Sequence, residues 1–234
     1  MLFDLDGTLV HHVNPRVLQM LEFLDDCSHR TGRLVARFRL RRRVRSAQAQ
    51  RAPKLLVHKA IHKVRRKSVE QMLEPCSAMR ATLERLRDEG VILGVVSNGL
   101  GRGYGHQVLE AFDLKKYFNS AVFREDVSRG KPWPDSIVKA LQGIGRDLRS
   151  TDVIWYIGDQ CKDITAAQAA SAIIGRQIRP FALGARAALG AMDSREGPVQ
   201  IVWTPADFER TVEATFQHND VRRSLIDPLP APLL

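Results

Sequence analysis

Acidic residues are missing from Cys27 to Val69, a stretch that holds 15 of the 36 Lys and Arg residues. The rest of the chain carries 21 basic against 26 acidic residues. The net charge of +10 therefore belongs to one segment set in a mildly acidic protein. Aromatic residues are scarce at 6%, and Phe38 is the only one from 27 to 69. The basic segment thus lacks the rings on which single-stranded nucleic acid stacks, and it shows no recognised nucleic-acid motif. Cysteine is limited to Cys27, Cys76 and Cys161, widely spaced and odd in number. That argues against a disulfide framework or a zinc site and suggests reduced thiols in a cytoplasmic protein. No apolar run approaches the roughly 18 residues of a membrane span. Acidic residues at positions 4 and 6 stand where a signal peptide has its basic n-region. What is present is 44% apolar residues in 234, enough for one large domain or a domain carrying an insertion.

The first residues, Met1-Leu2-Phe3, are apolar and read as a short strand that ends at Asp4 before a Gly7-Thr8 turn. After Pro15 the pattern becomes helical, with Val17, Met20, Leu21 and Leu24 on one face. A second amphipathic stretch places Val57, Ala60, Ile61 and Val64 together, so residues 14–74 are expected to form a small helical unit. From Pro75 onward, strands and helices alternate. A helix through Met79, Leu83 and Leu86 stops at Gly90, and the apolar run Val91–Val96 is expected to be a buried strand. A helix over 103–112, a strand over 120–123 and a helix from Pro134 to Leu141 follow. A strand over 153–157 leads to Gly158-Asp159, and an Ala-rich helix is expected to begin at Asp163. Strands over 178–182 and 199–203 precede a last helix that starts at Pro205. This alternation predicts an α/β fold: a Rossmann-like parallel sheet with helices on both faces, plus a small α-helical cap domain.

In such a sheet ligands bind beyond the carboxyl ends of the strands. Four polar clusters fall there: Asp4/Asp6, Ser97/Asn98, Lys131, and Asp159/Asp163. Converging carboxylates repel one another unless a cation lies between them. Magnesium takes oxygen ligands and keeps room for waters and a phosphate, and Asp4 and Asp159 are placed to hold it. Asp163 either joins them or caps the helix that it opens. A carboxylate at Asp4 can attack phosphorus, and Asp6 can carry the proton to and from the leaving oxygen. Ser97 and Asn98 are expected to contact the phosphate, and Lys131 to neutralise it. His11 and His12 read as a polar hinge, and Trp133 and Trp155 as packing residues.

On these residues the chain resembles the haloacid dehalogenase-like hydrolase superfamily. The four motifs of that family are matched in order by Asp4-Leu5-Asp6-Gly7-Thr8, by Ser97-Asn98-Gly99, by Lys131 in Gly130-Lys131-Pro132-Trp133-Pro134-Asp135, and by Gly158-Asp159 with Asp163. The resemblance implies a core of residues 1–13 and 75–234 with a strongly basic cap over 14–74. It implies that Asp4 is nucleophile and magnesium ligand. Asp6 becomes the acid/base and a metal ligand through its carbonyl, Ser97 the phosphoryl binder, Lys131 the neutralising cation, and Asp159 and Asp163 the metal anchors. The acid at Asp6 argues against the dehalogenase branch, which lacks one there. Only three residues precede Asp4, so the first strand is expected to be short or to begin upstream of Met1. Residues 173–198 follow the family pattern poorly.

The expected activity is magnesium-dependent hydrolysis of a small phosphorylated metabolite. A phosphosugar mutase would use the same core. A binding protein whose basic cap docks on nucleic acid or an acidic partner is the reading from a different class.

Overall fold

A computed structural model describes residues 1–13, 69–99, 101–145, 148–149, 151–193 and 197–226, the last nine of these by backbone alone. Six strands form one sheet: β1 (Leu2–Asp4), β4 (Gly94–Val96), β5 (Ser120–Val122), β6 (Ile154–Gly158), β7 (Ile178–Leu183) and β8 (Gln200–Val202). Their order is β5-β4-β1-β6-β7-β8, and every neighbouring pair is parallel. Two further strands, β2 (Val10–His12) and β3 (Leu73–Pro75), form a separate antiparallel pair in which His11 faces Glu74.

Alternation along the strands builds two cores. Phe3, Val95 and Ile157 point to one face. There they meet α1 (Ser77–Asp88), α2 (Arg102–Ala111) and α6 (Pro205–Ile226) through Met79, Leu83, Val108 and Phe208. Leu2, Val96 and Tyr156 point to the other face. There they meet α3 (Asp135–Gln142) and α4 (Cys161–Ile174) through Ile137, Ala140, Ala166 and Ala170. The fully buried alanines of α4 let that helix approach the sheet closely. An α/β sheet with helices on both faces is therefore the observed architecture.

The strand over Val91–Val96 is shorter than its apolar run, because the chain turns at Gly90 and becomes a strand only at Gly94. The Ala-rich helix begins at Cys161, two residues before Asp163. An additional helix, α5 (Gly184–Asp193), fills the stretch between the strands over 178–183 and 200–202. Trp133, expected to pack, is 53% exposed and lies against the Arg129 guanidinium, 4.6 Å from ring centroid to Cζ. Trp155 does pack, with its ring 4.7 Å from that of Phe181. The helical unit expected over 14–74 lies outside the described residues except for 69–74. No helix among the described residues is long and apolar enough to cross a membrane.

Candidate active site

β1 is the switch point of the sheet: the chain moves from it through β4 to β5, then returns to its other side with β6. Crevices open at such a point beyond the carboxyl ends of the strands. Asp4 is the last residue of β1, Ser97 follows β4, and Asp159 follows β6. Lys131 comes from the segment between β5 and α3, and Asp163 from the first turn of α4.

These side chains meet. The Lys131 ammonium pairs with Asp4 Oδ1, lies 2.6 Å from Asp163 Oδ1, and donates to the Tyr156 hydroxyl at 3.1 Å and to Val96 O at 3.4 Å. Tyr156 donates in turn to Asp163 Oδ1 at 3.1 Å. Asp163 Oδ2 accepts from the Gln160 N–H at 3.0 Å, closing a capping box at the start of α4. Asp163 is thus not the N-cap, which is Gln160, but the third residue of the helix that bonds back to it, and it also belongs to the charged cluster. Ser97 Oγ donates to Asp6 Oδ2 at 2.8 Å. Asn98 uses its amide on the main chain of Lys131, donating to its carbonyl at 2.8 Å and accepting from its N–H at 2.9 Å. All seven side chains singled out in the sequence are brought to one sheet edge, and Asn98 serves there to hold the lysine loop.

Gly7 has a reason to be glycine. Its φ is +87°, and a Cβ there would fall on the Asp159 carboxylate. Tyr156 is the participant that the sequence concealed: it sits inside an apolar strand run, and nothing in its spacing marks it as polar machinery.

Electrostatics follow from burial. Four carboxylates, Asp4, Asp6, Asp159 and Asp163, gather around the Lys131 ammonium. Burial pushes the Asp4 pKa well above the usual carboxylate range; Lys131 opposes this, and the Asp163, Asp159 and Asp6 charges add to it. Burial, with the Asp163 charge beside it, raises Asp159 to about 7. Burial alone would lower Lys131, yet Asp163 and Asp4 hold it well above the lysine range, so it stays charged. Tyr156 is raised chiefly by burial and stays protonated.

The donor set suits a hard dication. One ligand oxygen from each of Asp4, Asp159 and Asp163 lies within 4.8 Å of the others. Asp159 Oδ1 is buried and accepts no hydrogen bond from the described residues. An orphaned carboxylate oxygen among like charges is what magnesium would satisfy.

The sequence profile of haloacid dehalogenase-like hydrolases matches residues 1–174. The chain belongs to that family. Among its relatives, the pyrophosphatase PpaX of Oceanobacillus iheyensis is 32% identical over 90 residues, 38% of this chain and 40% of that protein. Phosphoglycolate phosphatase of Escherichia coli K12 is 34% identical over 89 residues, 38% of this chain and 34% of that protein. The chain therefore spans less than half the length of either relative. Two solved structures share the fold. One is a haloacid dehalogenase-superfamily hydrolase from Ehrlichia chaffeensis, with TM-score 0.55, 16% identity, and coverage of 92% of this chain and 96% of that one. The other is a phosphonoacetaldehyde hydrolase-like protein from Oleispira antarctica, with TM-score 0.59, 15% identity, and coverage of 93% and 92%.

Proposed function

We propose that this protein is a magnesium-dependent phosphatase that hydrolyses a small phosphate monoester through an aspartyl-phosphate at Asp4. One observation carries the reading: Asp4 ends the central strand against the Lys131 ammonium, with a second acid, Asp6, two residues on. Asp4 attacks phosphorus as the ester P–O bond breaks. Asp6 gives its proton to the departing oxygen, so the alcohol leaves neutral. The same carboxylate then takes a proton from water as that water attacks the acyl phosphate, which frees inorganic phosphate and restores Asp4. Lys131 meets the negative charge of the transferring group, and Ser97, already bonded to Asp6, offers its hydroxyl to a phosphoryl oxygen.

Asp4 and Asp159 would hold the magnesium, with the Asp6 carbonyl. Asp163, whose oxygens serve Lys131, Tyr156 and Gln160, would support it from behind. When bound, the ion would keep Asp4 ionised and screen the phosphoryl oxygens.

The relatives suggest which compounds to try first. A release assay for inorganic phosphate would cover phosphoglycolate, pyrophosphate, sugar phosphates, nucleotides and phosphoamino acids, with magnesium or with EDTA. Magnesium-dependent turnover of at least one compound is expected. Asp4→Asn should lower it by about a thousandfold or more while keeping the fold. Undiminished turnover in that variant would overturn the mechanism. Return of the phosphoryl group to a second sugar hydroxyl, with no free phosphate, would make the protein a mutase.

A further inference from the structure

The hydroxyl of Tyr156 touches both Lys131 and one of the two carboxylates that compete for it, Asp163. An ammonium offers three N–H donors. Four oxygens surround this one: Asp4 Oδ1, Asp163 Oδ1 at 2.6 Å, the Tyr156 hydroxyl at 3.1 Å and Val96 O at 3.4 Å. A lysine stem is flexible, so its position depends on how those acceptors are shared. Two are carboxylates that come from different elements, Asp4 at the end of β1 and Asp163 in the first turn of α4.

Tyr156 alters that balance twice. Its O–H donates to Asp163 Oδ1 and so occupies part of the oxygen that would draw the ammonium back. Its oxygen accepts one lysine N–H and leaves the others for Asp4 and its neighbours. The phenol is well fixed to do this. It is 0% exposed, its ring lies in the core with Ile137, Ala140 and Ala167, and its strand pairs with Leu2 on one side and Pro180 on the other. A phenylalanine would fill the same apolar space; the hydroxyl is what the space does not require.

We propose that Tyr156 is the positioning residue for Lys131, its hydroxyl fixing the ammonium against Asp4 and so setting where positive charge meets the transferring phosphoryl group. This rests on the phosphatase reading above. Tyr156 acts only through the lysine.

The test is Tyr156→Phe in the full chain, read in two ways. Steady-state kinetics use p-nitrophenyl phosphate and the best monoester of the screen. A displaced cation should lower kcat by about 10- to 100-fold, with KM changed less than about threefold. Nitrogen-15 NMR of lysine side chains follows the buried ammonium without turnover, its resonance assigned by its loss in Lys131→Met. That resonance should shift or broaden in Tyr156→Phe. A hydroxyl that only supported the helix would lower the melting temperature and leave kcat and the resonance alone, which would overturn the proposal.

Should Tyr156→Phe not fold, para-aminophenylalanine at 156 keeps a hydrogen-bonding atom in the same place. It is expected to retain the Lys131 resonance and turnover within about tenfold of wild type; loss of both in a folded protein would also overturn the proposal. If the wild type turned over no monoester while Tyr156→Phe still moved the resonance, the phosphatase reading would fall and the positioning would stand. Wild-type turnover with an unchanged kcat and resonance in Tyr156→Phe would do the reverse.

Discussion

At the scale of single residues, Asp159 makes the metal-free protein sensitive to pH. Its ordinary value of 3.8 rises to about 7 in the fold, through burial and then the Asp163 charge. Between those two values the folded protein holds a proton that the unfolded chain releases. The stability linked to that proton is full below 3.8 and is lost as pH rises through about 7. In EDTA, the melting temperature should therefore fall from about pH 4 to about pH 8, apart from other titrations. Asp159→Asn should flatten that fall. Magnesium should raise the wild-type melting temperature most at the alkaline end, where the carboxylate is free to bind. Differential scanning fluorimetry across pH, with and without the ion, checks all three. An EDTA profile that rises through this window, or one that Asp159→Asn leaves unchanged, would contradict the assignment.

At the scale of elements, Asn98 joins two segments that carry the chemistry, the one leaving β4 and the one holding Lys131. Asn98→Ala would strand a backbone carbonyl and N–H of Lys131, a cost of about 1–3 kcal/mol in urea unfolding. Asn98→Asp keeps the acceptor and loses the donor, so it should fall between. Both should lower turnover more than an exposed substitution such as Gln107→Ala.

The same scale explains what the sequence could disclose. Asp4, Ser97 and Asp159 were legible because each follows an apolar run, and a parallel sheet gathers such positions at one edge. Lys131 was legible only by its place among those clusters, since a lysine in a turn is usually solvated. Tyr156 was hidden by its strand, whose residues are read as core. β2 and β3 have three residues each, too few for a period of two to register, and only their mutual register reveals them. α5 escaped because Gly184 and Gly190 interrupt its alanines and weigh against a helix, so tertiary contact decides it. Trp133, read as a packing residue, instead covers the Arg129 guanidinium at the surface.

At the scale of the whole molecule, charge is divided unevenly. The described site is rich in carboxylates, and the 15 basic residues from Cys27 to Val69 balance a core that would otherwise be acidic. We propose that such a segment attracts phosphorylated anions. We therefore expect kcat/KM for an anionic substrate to fall by roughly three- to tenfold as salt rises from about 20 to about 300 mM. Replacing residues 30–67 by a neutral linker should remove that dependence. Parallel RNA and DNA titrations at the two salt concentrations test docking on nucleic acid; a flat response, or no effect of the replacement, excludes it.

The β2–β3 pair has a consequence of another kind. The chain leaves the ladder after His12 and re-enters it at Leu73, and those two residues are partners in it. Departure and re-entry thus occur at one doorway, and the entropy of closing the intervening loop grows only slowly with its length. The doorway would accept inserts of very different size without moving Asp4 or Lys131. Over generations, a lineage built on this core could exchange the intervening segment as a graft, while the residues beneath are inherited intact.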